Sequence, residues 1–474
     1  MRGTSLHRLL WQAIGVCLPA LAAVGLVSAD RLAAQSEDAV TFAKDVAPIL
    51  QKSCQKCHQP GTSAPMSLLT YEQVKAFAPL IKVKVQTRKM PPWPMDKSIG
   101  IQEFKNDISL TDEEIETIVK WIDGGTPLGN PADMPPPADL PDPAQRRWAY
   151  EDVFGRPPDV VISSPPYKVV ANGMNQWPDP KTDVTGLASE RWIRAVGVRP
   201  GNPKSQYVFH HANPSLNQDG ENNSLVQTAV GTEGYIYPDD AGMLIKPGAS
   251  VSFGMHFYPI DEDIDAVMEL GLWFYPEGEK PKFETPGEVL YEIAQNTGFG
   301  FEHGTTRGNA RGHSTDPQIV RRGDLLLAPN SQSVYRGVYV MDRPARIHSL
   351  RGHMHLRGKY QIVEAVYPDG RWEVINKLDW DHPWHTAFLY EEDAMPLLPK
   401  GTVLILTSIF DNTAANPYNP DPEQWVVAGD RTADEMSHLR FGITYFENEE
   451  DFQKIVTERE QRLKQRQIAQ NADN

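Results

Sequence analysis

Two cysteines and a histidine lie together in the segment Cys54-Gln55-Lys56-Cys57-His58. Thiols at this spacing can add across the vinyl groups of haem, and the histidine that follows can ligate the iron. A zinc site would need further ligands nearby, and no second cysteine pair exists. A dithiol redox pair would need a βαβ setting, whereas the flanking pattern is helical. The motif therefore predicts one covalently attached c-type haem.

The second axial ligand of such a haem is often a thioether sulfur, and Met66, Met90 and Met95 are candidates. Any of them could instead pack a core, which is the commoner role of methionine. Met90 precedes the segment Pro91-Pro92-Trp93-Pro94, whose prolines lack backbone donors and hold the chain extended. The segment resembles the small cytochrome c domains of exported bacterial proteins. In those domains the methionine of an Arg-x-Met-Pro-Pro-Trp stretch is the distal ligand, so the resemblance selects Met90.

Histidines recur in pairs later in the chain. His353 and His355 flank Met354 at the start of an apparent strand, and residues two apart on a strand face the same side, so both imidazoles can meet one metal. His210 and His211 are adjacent, so they could share a metal only at a bulge, a twist or the end of a strand. His256 lies in an alternating stretch. Each element alone is weak, since an isolated histidine pair is more often structural.

Taken in order, the adjacent pair, the strand histidine, the His-Met-His segment and Asp434-Glu435-Met436 resemble the copper type II, ascorbate-dependent monooxygenases. These enzymes are the peptidylglycine α-hydroxylating and dopamine β-monooxygenase relatives. The resemblance covers about residues 160–447 and implies two coppers on two antiparallel β-sandwiches that face across a cleft. It assigns an electron-transfer copper to His210, His211 and His256. It assigns an oxygen-binding copper to His353, His355 and Met436. Imidazole suits copper in both oxidation states, and a thioether favours Cu(I).

The chain also departs from that family. The sandwich region has no cysteines, so packing alone must hold it. Arg351 stands where the peptide-hydroxylating branch binds the carboxylate of its substrate, but His438 and Arg440 stand where asparagine and tyrosine are expected. A peptidylglycine substrate is therefore not implied, and a small molecule or a peptide remains open. The other histidines are interpreted as structural or surface residues, with one pair that stands out, His382 and His385.

The rest of the sequence predicts the elements that position these residues. Hydrophobic residues recur at helical spacing before the cysteines, and Thr111-Asp112-Glu113-Glu114 is a capping box that opens a later helix. Beyond a proline-rich stretch, many short strands are separated by Gly, Pro, Asn and Asp, and residues 360–375 indicate a hairpin turned at Pro368-Asp369-Gly370. The predicted class is α plus all-β, a small helical cytochrome c domain followed by two antiparallel β-sandwich (jelly-roll-like) domains.

The predicted domain order begins with a signal peptide at 1–29, since an apolar run is followed by Val27-Ser28-Ala29. An uncleaved membrane anchor is the alternative, and no later segment could span a bilayer. The remaining predicted parts are a cytochrome c-like domain (37–129), a proline-rich linker (130–155), two sandwiches (156–310 and 311–447) and a charged helical tail (448–474). A net charge of −16 argues against nucleic-acid binding, because phosphates would be repelled.

Together these features predict a periplasmic or secreted oxidoreductase with one haem c and two coppers. We expect a monooxygenase that hydroxylates a C–H bond with O2, using electrons that the haem relays from a periplasmic donor. One alternative is a non-catalytic electron-transfer or copper-binding protein. Another is a ligand-binding sandwich with a haem tether, whose histidines bind no metal.

Overall fold

The computed structural model of the chain describes residues 39–62, 64–140, 147–229, 232–292, 325–429 and 431–472. The predicted signal peptide at 1–29 and the predicted boundary between residues 310 and 311 lie outside these ranges. The chain divides into two compact units. Of the described residues, the first unit comprises those up to Lys89 together with Leu110–Leu140, and the second comprises Met90–Ser109 together with those after residue 141. Among the described helices, none is both long enough and apolar enough to cross a membrane.

The first unit is helical. It contains a π-helical turn (Phe42–Val46), three α-helices, α1 (Ala47–Ser53), α2 (Tyr71–Gln86) and α3 (Asp112–Asp123), and a 3-10 turn (Pro131–Asp133). The predicted capping box at the start of α3 is formed, with Thr111 and Glu114 each bonded to the other's backbone N–H. Phe42 packs between Tyr71 and Trp121, with ring centroids 5.3 and 5.6 Å away. These rings lie at the small core of the helical unit. Cys54, in the turn that carries the cysteines, packs against this core.

The second unit is built mainly of strands. The strands up to residue 292 are β1 (Met95–Gly100), β2 (Val160–Ser163), β3 (Tyr167–Val169), β4 (Lys181–Asp183), β5 (Arg191–Pro200), β6 (Phe209–Ala212), β7 (Ser215–Gln218), β8 (Glu221–Ser224), β9 (Thr228–Ala229), β10 (Gly234–Ile236), β11 (Ala241–Ile245), β12 (Ser250–Ser252), β13 (Met255–Phe257), β14 (Ile264–Ala266), β15 (Met268–Phe274), β16 (Phe283–Glu284) and β17 (Glu288–Glu292). The later strands are β18 (Leu326–Leu327), β19 (Gln332–Val340), β20 (Ala345–His353), β21 (Gly358–Val366), β22 (Trp372–Asp379), β23 (Phe388–Leu389), β24 (Leu397–Leu398), β25 (Val403–Asp411), β26 (Val426–Val427) and β27 (His438–Tyr445). Its helical segments are α4 (Glu151–Phe154), a 3-10 turn (Ser205–Tyr207) and α5 (Glu449–Ala472).

Two layered groups of sheets make up this unit. In the first, the sheet β16-β11-β5-β15-β2, with β10 on β5, shares one apolar core with the smaller sheets β4-β12-β7-β8, β13-β6-β9 and β14-β3. In the second, β1-β22-β21-β25-β19 packs on β17-β27-β20-β23, with β24 on β20. Among the described strand pairs only β11 with β16 is parallel. The predicted class, a small helical part followed by antiparallel sandwich-like sheets, is confirmed.

One segment of the second unit comes from an unexpected part of the chain. Residues 90–109 lie within the predicted helical domain 37–129, but the structure places them in the strand-rich unit. Strand β1 pairs with β22, and Trp93, Met95 and Phe104 enter the core of the second group of sheets. The reason is apolar burial, because these large side chains are covered there by residues such as Phe388.

Candidate metal centre

Three histidines converge on two paired strands of the first group of sheets. His211 on β6 is the register partner of His256 on β13, and the pairing shifts by one residue immediately beyond them. This irregularity is the bulge that adjacent histidines need to turn toward one point. The ring centroids of His210, His211 and His256 lie 4.9 to 5.1 Å apart, and one potential ligand atom from each falls within 4.8 Å of the others. The three residues predicted to hold the first copper are thus brought together.

Burial keeps these imidazoles neutral. Desolvation, followed by the neighbouring histidines, lowers the pKa of His210 to about 3 and, in the same order, the pKa of His256 to about 4. The pKa of His211 is also lowered well below its ordinary value, first by burial. A neutral imidazole offers the lone pair that a metal needs. The trio is therefore a set of neutral imidazoles at neutral pH.

Two aromatic rings stack on members of the trio. Tyr258 stacks on His210 with centroids 4.3 Å apart, and Trp177 stacks on His256 at 4.8 Å. The buried His211 Nδ1 and His256 Nε2 accept or donate no hydrogen bond within the described chain. Buried polar nitrogens are rarely left in this way unless an ion or water completes them. The residues present therefore fit a bound metal ion.

The second predicted group lies at and just beyond the end of β20. His353 and His355 are both buried, with ring centroids 5.4 Å apart. His355 Nδ1 lies 3.2 Å from the Asp434 carbonyl oxygen, and the protonated nitrogen would donate to it. A hydrogen bond of this kind fixes the orientation of a ligand ring. The two imidazoles are thus close enough to share an ion, as the spacing of the motif predicts.

A carboxylate that sequence reasoning missed holds this segment in place. Glu435 is fully buried and accepts hydrogen bonds from the backbone N–H of His355, of Arg357 at 2.9 Å and of Met436 at 3.0 Å. Burial raises the pKa of Glu435 to about 7, and these hydrogen bonds oppose the rise. The hydrogen bonds to Glu435 hold the backbone of Met436, a half-buried residue, beside that of His355. The only sequence signal was the position of Glu435 next to a predicted ligand.

The two groups of histidines adjoin. The rings of His211 and His353 have centroids 6.0 Å apart, and His438, the cross-strand partner of His353, stacks on it at 5.9 Å. The resemblance predicted one copper on each sandwich across a cleft. In this structure the imidazoles of the two groups are instead neighbours within the strand-rich unit.

Arg351, predicted to bind a substrate carboxylate, is 1% exposed. Its guanidinium donates to the Gln227 carbonyl and lies 3.3 Å from a carboxylate oxygen of Glu288. Glu288 also accepts the backbone N–H of Gln227 at 2.8 Å. This placement favours a structural role, because the charge of the buried guanidinium is already balanced by Glu288.

The haem motif forms a helical turn after α1. The backbone N–H of Cys57 and of His58 both donate to the Cys54 carbonyl, at 3.2 and 2.9 Å. Cys54 is half-buried and Cys57 exposed, and burial raises the pKa of the Cys54 thiol to about 12. His58 Nδ1 lies 3.1 Å from the Met66 carbonyl, a contact that would orient the ring. The turn thus presents two thiols and an oriented imidazole, a set that fits covalent haem.

The three methionines considered as distal ligands are distributed over both units. Met66 packs against the core of the helical unit, while Met95 is buried in the second group of sheets. Met90 is the first residue of the segment assigned to the strand-rich unit. The selection of Met90 stays a prediction.

Comparisons with known proteins give no close relative. No family model matches the chain, and no curated protein matches it. Among solved structures, a match is found to PNGase F, a glycosylasparaginase from Flavobacterium meningosepticum, with a TM-score of 0.27 and 8% identity over 61% of this chain and 97% of that one. Oxalate decarboxylase matches with a TM-score of 0.14 and 8% identity, over 66% of this chain and 85% of that one. Pumpkin pro-11S globulin has a TM-score of 0.15 and 9% identity, over 62% and 87%.

Proposed function

We propose that this chain is an exported haem- and copper-dependent oxidoreductase, a monooxygenase that hydroxylates a C–H bond with O2. The proposal places it with the copper type II, ascorbate-dependent monooxygenases and gives it a fused c-type cytochrome. The observation that carries it is the convergence of His210, His211 and His256, whose ligand atoms lie within 4.8 Å of one another. Three imidazoles at this spacing can serve as ligands of one metal ion.

At the first centre the chain supplies three neutral imidazoles, of which His256 is buried and His210 and His211 are half-buried. The bulge between β6 and β13 turns both members of the adjacent pair inward. Tyr258 stacks on the ring of His210 and Trp177 on the ring of His256, which limits how these two imidazoles can turn. An all-imidazole set supports copper in both oxidation states, as an electron-transfer centre requires.

At the second centre His353, His355 and Met436 would hold the other ion. Copper bound there would supply activation of dioxygen and hydrogen abstraction from the substrate. The protein orients His355 through the Asp434 carbonyl and holds the Met436 backbone through Glu435. A thioether beside two imidazoles favours Cu(I), the state that meets O2.

Cys54 and Cys57 of the helical unit would carry the haem, and His58 would ligate its iron. The distal ligand proposed from the sequence is Met90. A periplasmic donor would reduce this haem. Each hydroxylation consumes two electrons that copper centres accept singly, so a fused one-electron carrier suits the reaction. The substrate class remains a small molecule or a peptide.

One observation favours the alternative, a non-catalytic electron-transfer or copper-binding protein. His353 and His355 are only 5% and 6% exposed, and the two groups adjoin. Buried, adjoining centres suit electron transfer, whereas a monooxygenase must admit a substrate. Reoxidation by O2 distinguishes the two functions. Stopped-flow mixing of the reduced protein with O2 should give faster haem reoxidation with copper bound than without it, and equal rates would support the alternative.

Metal content tests the proposal as a whole. Elemental mass spectrometry of the protein matured with haem and copper should find two coppers per iron. His256→Ala should lose one copper, since it removes a donor from the trio. Trp177→Phe keeps a ring against His256 without altering a donor, so it should retain both. Iron without copper in the wild-type protein would overturn the copper assignment, and copper without iron would overturn the haem assignment.

A further inference from the structure

A histidine outside both predicted ligand sets is buried between them. His385 lies in the loop after β22 and is 1% exposed. Neither of its ring nitrogens hydrogen-bonds to any residue that the structure describes. A buried imidazole without a partner for either nitrogen is costly, so an ordinary core role does not account for it. From the sequence His385 was interpreted as a structural or surface residue, although its pair with His382 stood out.

The distances place His385 with the ligand sets. Its ring centroid lies 4.9 Å from that of His353, 5.5 Å from His210 and 5.8 Å from His211. The rings of the first trio, whose ligand atoms converge, are 4.9 to 5.1 Å apart. His385 therefore stands at the same spacing from His353 as the members of the trio stand from one another.

The loop that carries His385 is fastened to the second centre. Trp380 Nε1 donates to the His355 carbonyl at 2.8 Å, and its ring lies 5.2 Å from that of His385. Thr232 Oγ1 donates to the His385 carbonyl at 3.3 Å. These contacts hold the imidazole beside His353 by fixing both its neighbour ring and its own backbone. Such a fixed position is what a ligand requires.

We propose that His385 is a third imidazole ligand of the metal held by His353 and His355. The inference rests on the proposed function, because it requires copper at the second centre. With Met436 the set becomes three nitrogens and one sulfur. A third nitrogen donor stabilises Cu(II) more than a set of two nitrogens and a thioether does, so it lowers the reduction potential of this centre.

The test isolates the second centre and counts its nitrogen ligands. In the His256→Ala background, Cu(II) bound to the haem-loaded protein is examined by electron paramagnetic resonance, and Cu(I) affinity is measured against a chromophoric competitor. We expect nitrogen couplings from three imidazoles. Adding His385→Phe, which keeps a ring of similar volume without a donor, should leave two and weaken Cu(I) binding about tenfold or more.

His382→Ala in the same background is the matched control, since it changes the same loop three residues away. It should leave the couplings and the affinity unchanged. Unchanged spectra and affinity in the Phe variant would overturn the inference, as would an equal loss in the His382 variant, which would show that the loop rather than the ligand matters. No copper binding by the wild-type protein would instead overturn the proposed function together with the inference.

Discussion

At the scale of single residues, two side chains close together on one strand fit different roles. Arg351 and His353 both point inward from β20. The arginine is matched by the carboxylate of Glu288 and the carbonyl of Gln227. The buried Nδ1 of His353 meets no hydrogen-bond partner in the described chain. A buried charge must be paired, so the ion pair of Arg351 with Glu288 indicates a structural role, whereas a neutral imidazole with a nitrogen free of hydrogen bonds can bind a metal.

Trp93 provides a test at the same scale. Its side chain is 7% exposed, and its ring lies 4.8 Å from that of Phe388 and 5.7 Å from that of Phe104. Replacing it with alanine should lower the free energy of unfolding of the strand-rich unit by about 3–5 kcal/mol, because a large cavity remains. Denaturant unfolding followed by fluorescence or circular dichroism measures this loss.

The control is Trp93→Phe. The buried indole N–H of Trp93 meets no acceptor among the described residues, so its removal forfeits no hydrogen bond. The phenylalanine variant should therefore lose clearly less stability than the alanine variant. Equal losses in the two variants would contradict the packing role assigned to the ring.

At the scale of elements, the sequence predicted some arrangements and not others for identifiable reasons. The hairpin turned at Pro368-Asp369-Gly370 was predictable because its turn chemistry is local, and β21 and β22 indeed flank it. The prediction that the adjacent residues His210 and His211 share a metal was only conditional, since it requires a bulge, and the bulge forms between two strands that are distant in sequence. The approach of His385 to His353 depends on a loop anchored by Trp380, and no local pattern encodes that.

The pairing of β1 with β22 is secured by an ion pair that should make stability depend on pH. Lys377 Nζ lies 2.8 Å from Asp96. The hydrogen bond from Lys377, followed by one from Ser98, lowers the pKa of Asp96 to about 2. The hydrogen bond to Asp96 raises the pKa of Lys377. A carboxyl with a lowered pKa stabilises the fold above its ordinary pKa of 3.8, and this contribution is lost as the pH falls toward about 2.

Lys377→Met should therefore lower the free energy of unfolding by about 0.5–1 kcal/mol at pH 7, the usual value for a pair that is partly exposed. The difference from wild type should shrink steadily between pH 4 and pH 2. A double-mutant cycle with Asp96→Asn, measured by urea unfolding across this range, isolates the pair. A coupling that did not change with pH would show that the lysine acts through packing of its methylene chain instead.

At the scale of the whole molecule, the two compact units are not consecutive in sequence. The helical unit is interrupted after Lys89 and resumes at Leu110, while the intervening residues complete the strand-rich unit. Composition could not reveal this exchange, because 90–109 is flanked on both sides by helical patterns and has no linker of its own. The proline-rich stretch before residue 141 looked like the boundary because its composition is distinctive.

This organisation predicts that residues 141–474 alone will not fold normally. Such a fragment lacks β1 and the buried side chains of Trp93, Met95 and Phe104. Each large core side chain contributes about 2–5 kcal/mol, and a domain has only about 5–15 kcal/mol in total. We expect the fragment to aggregate or to unfold without a cooperative transition. A synthetic peptide of residues 90–109 should restore cooperative thermal unfolding, whereas the same peptide with Trp93 and Phe104 replaced by alanine should not. A fragment that melted at the temperature of the intact chain without peptide would show that 90–109 only lies on the sheet and does not complete its core.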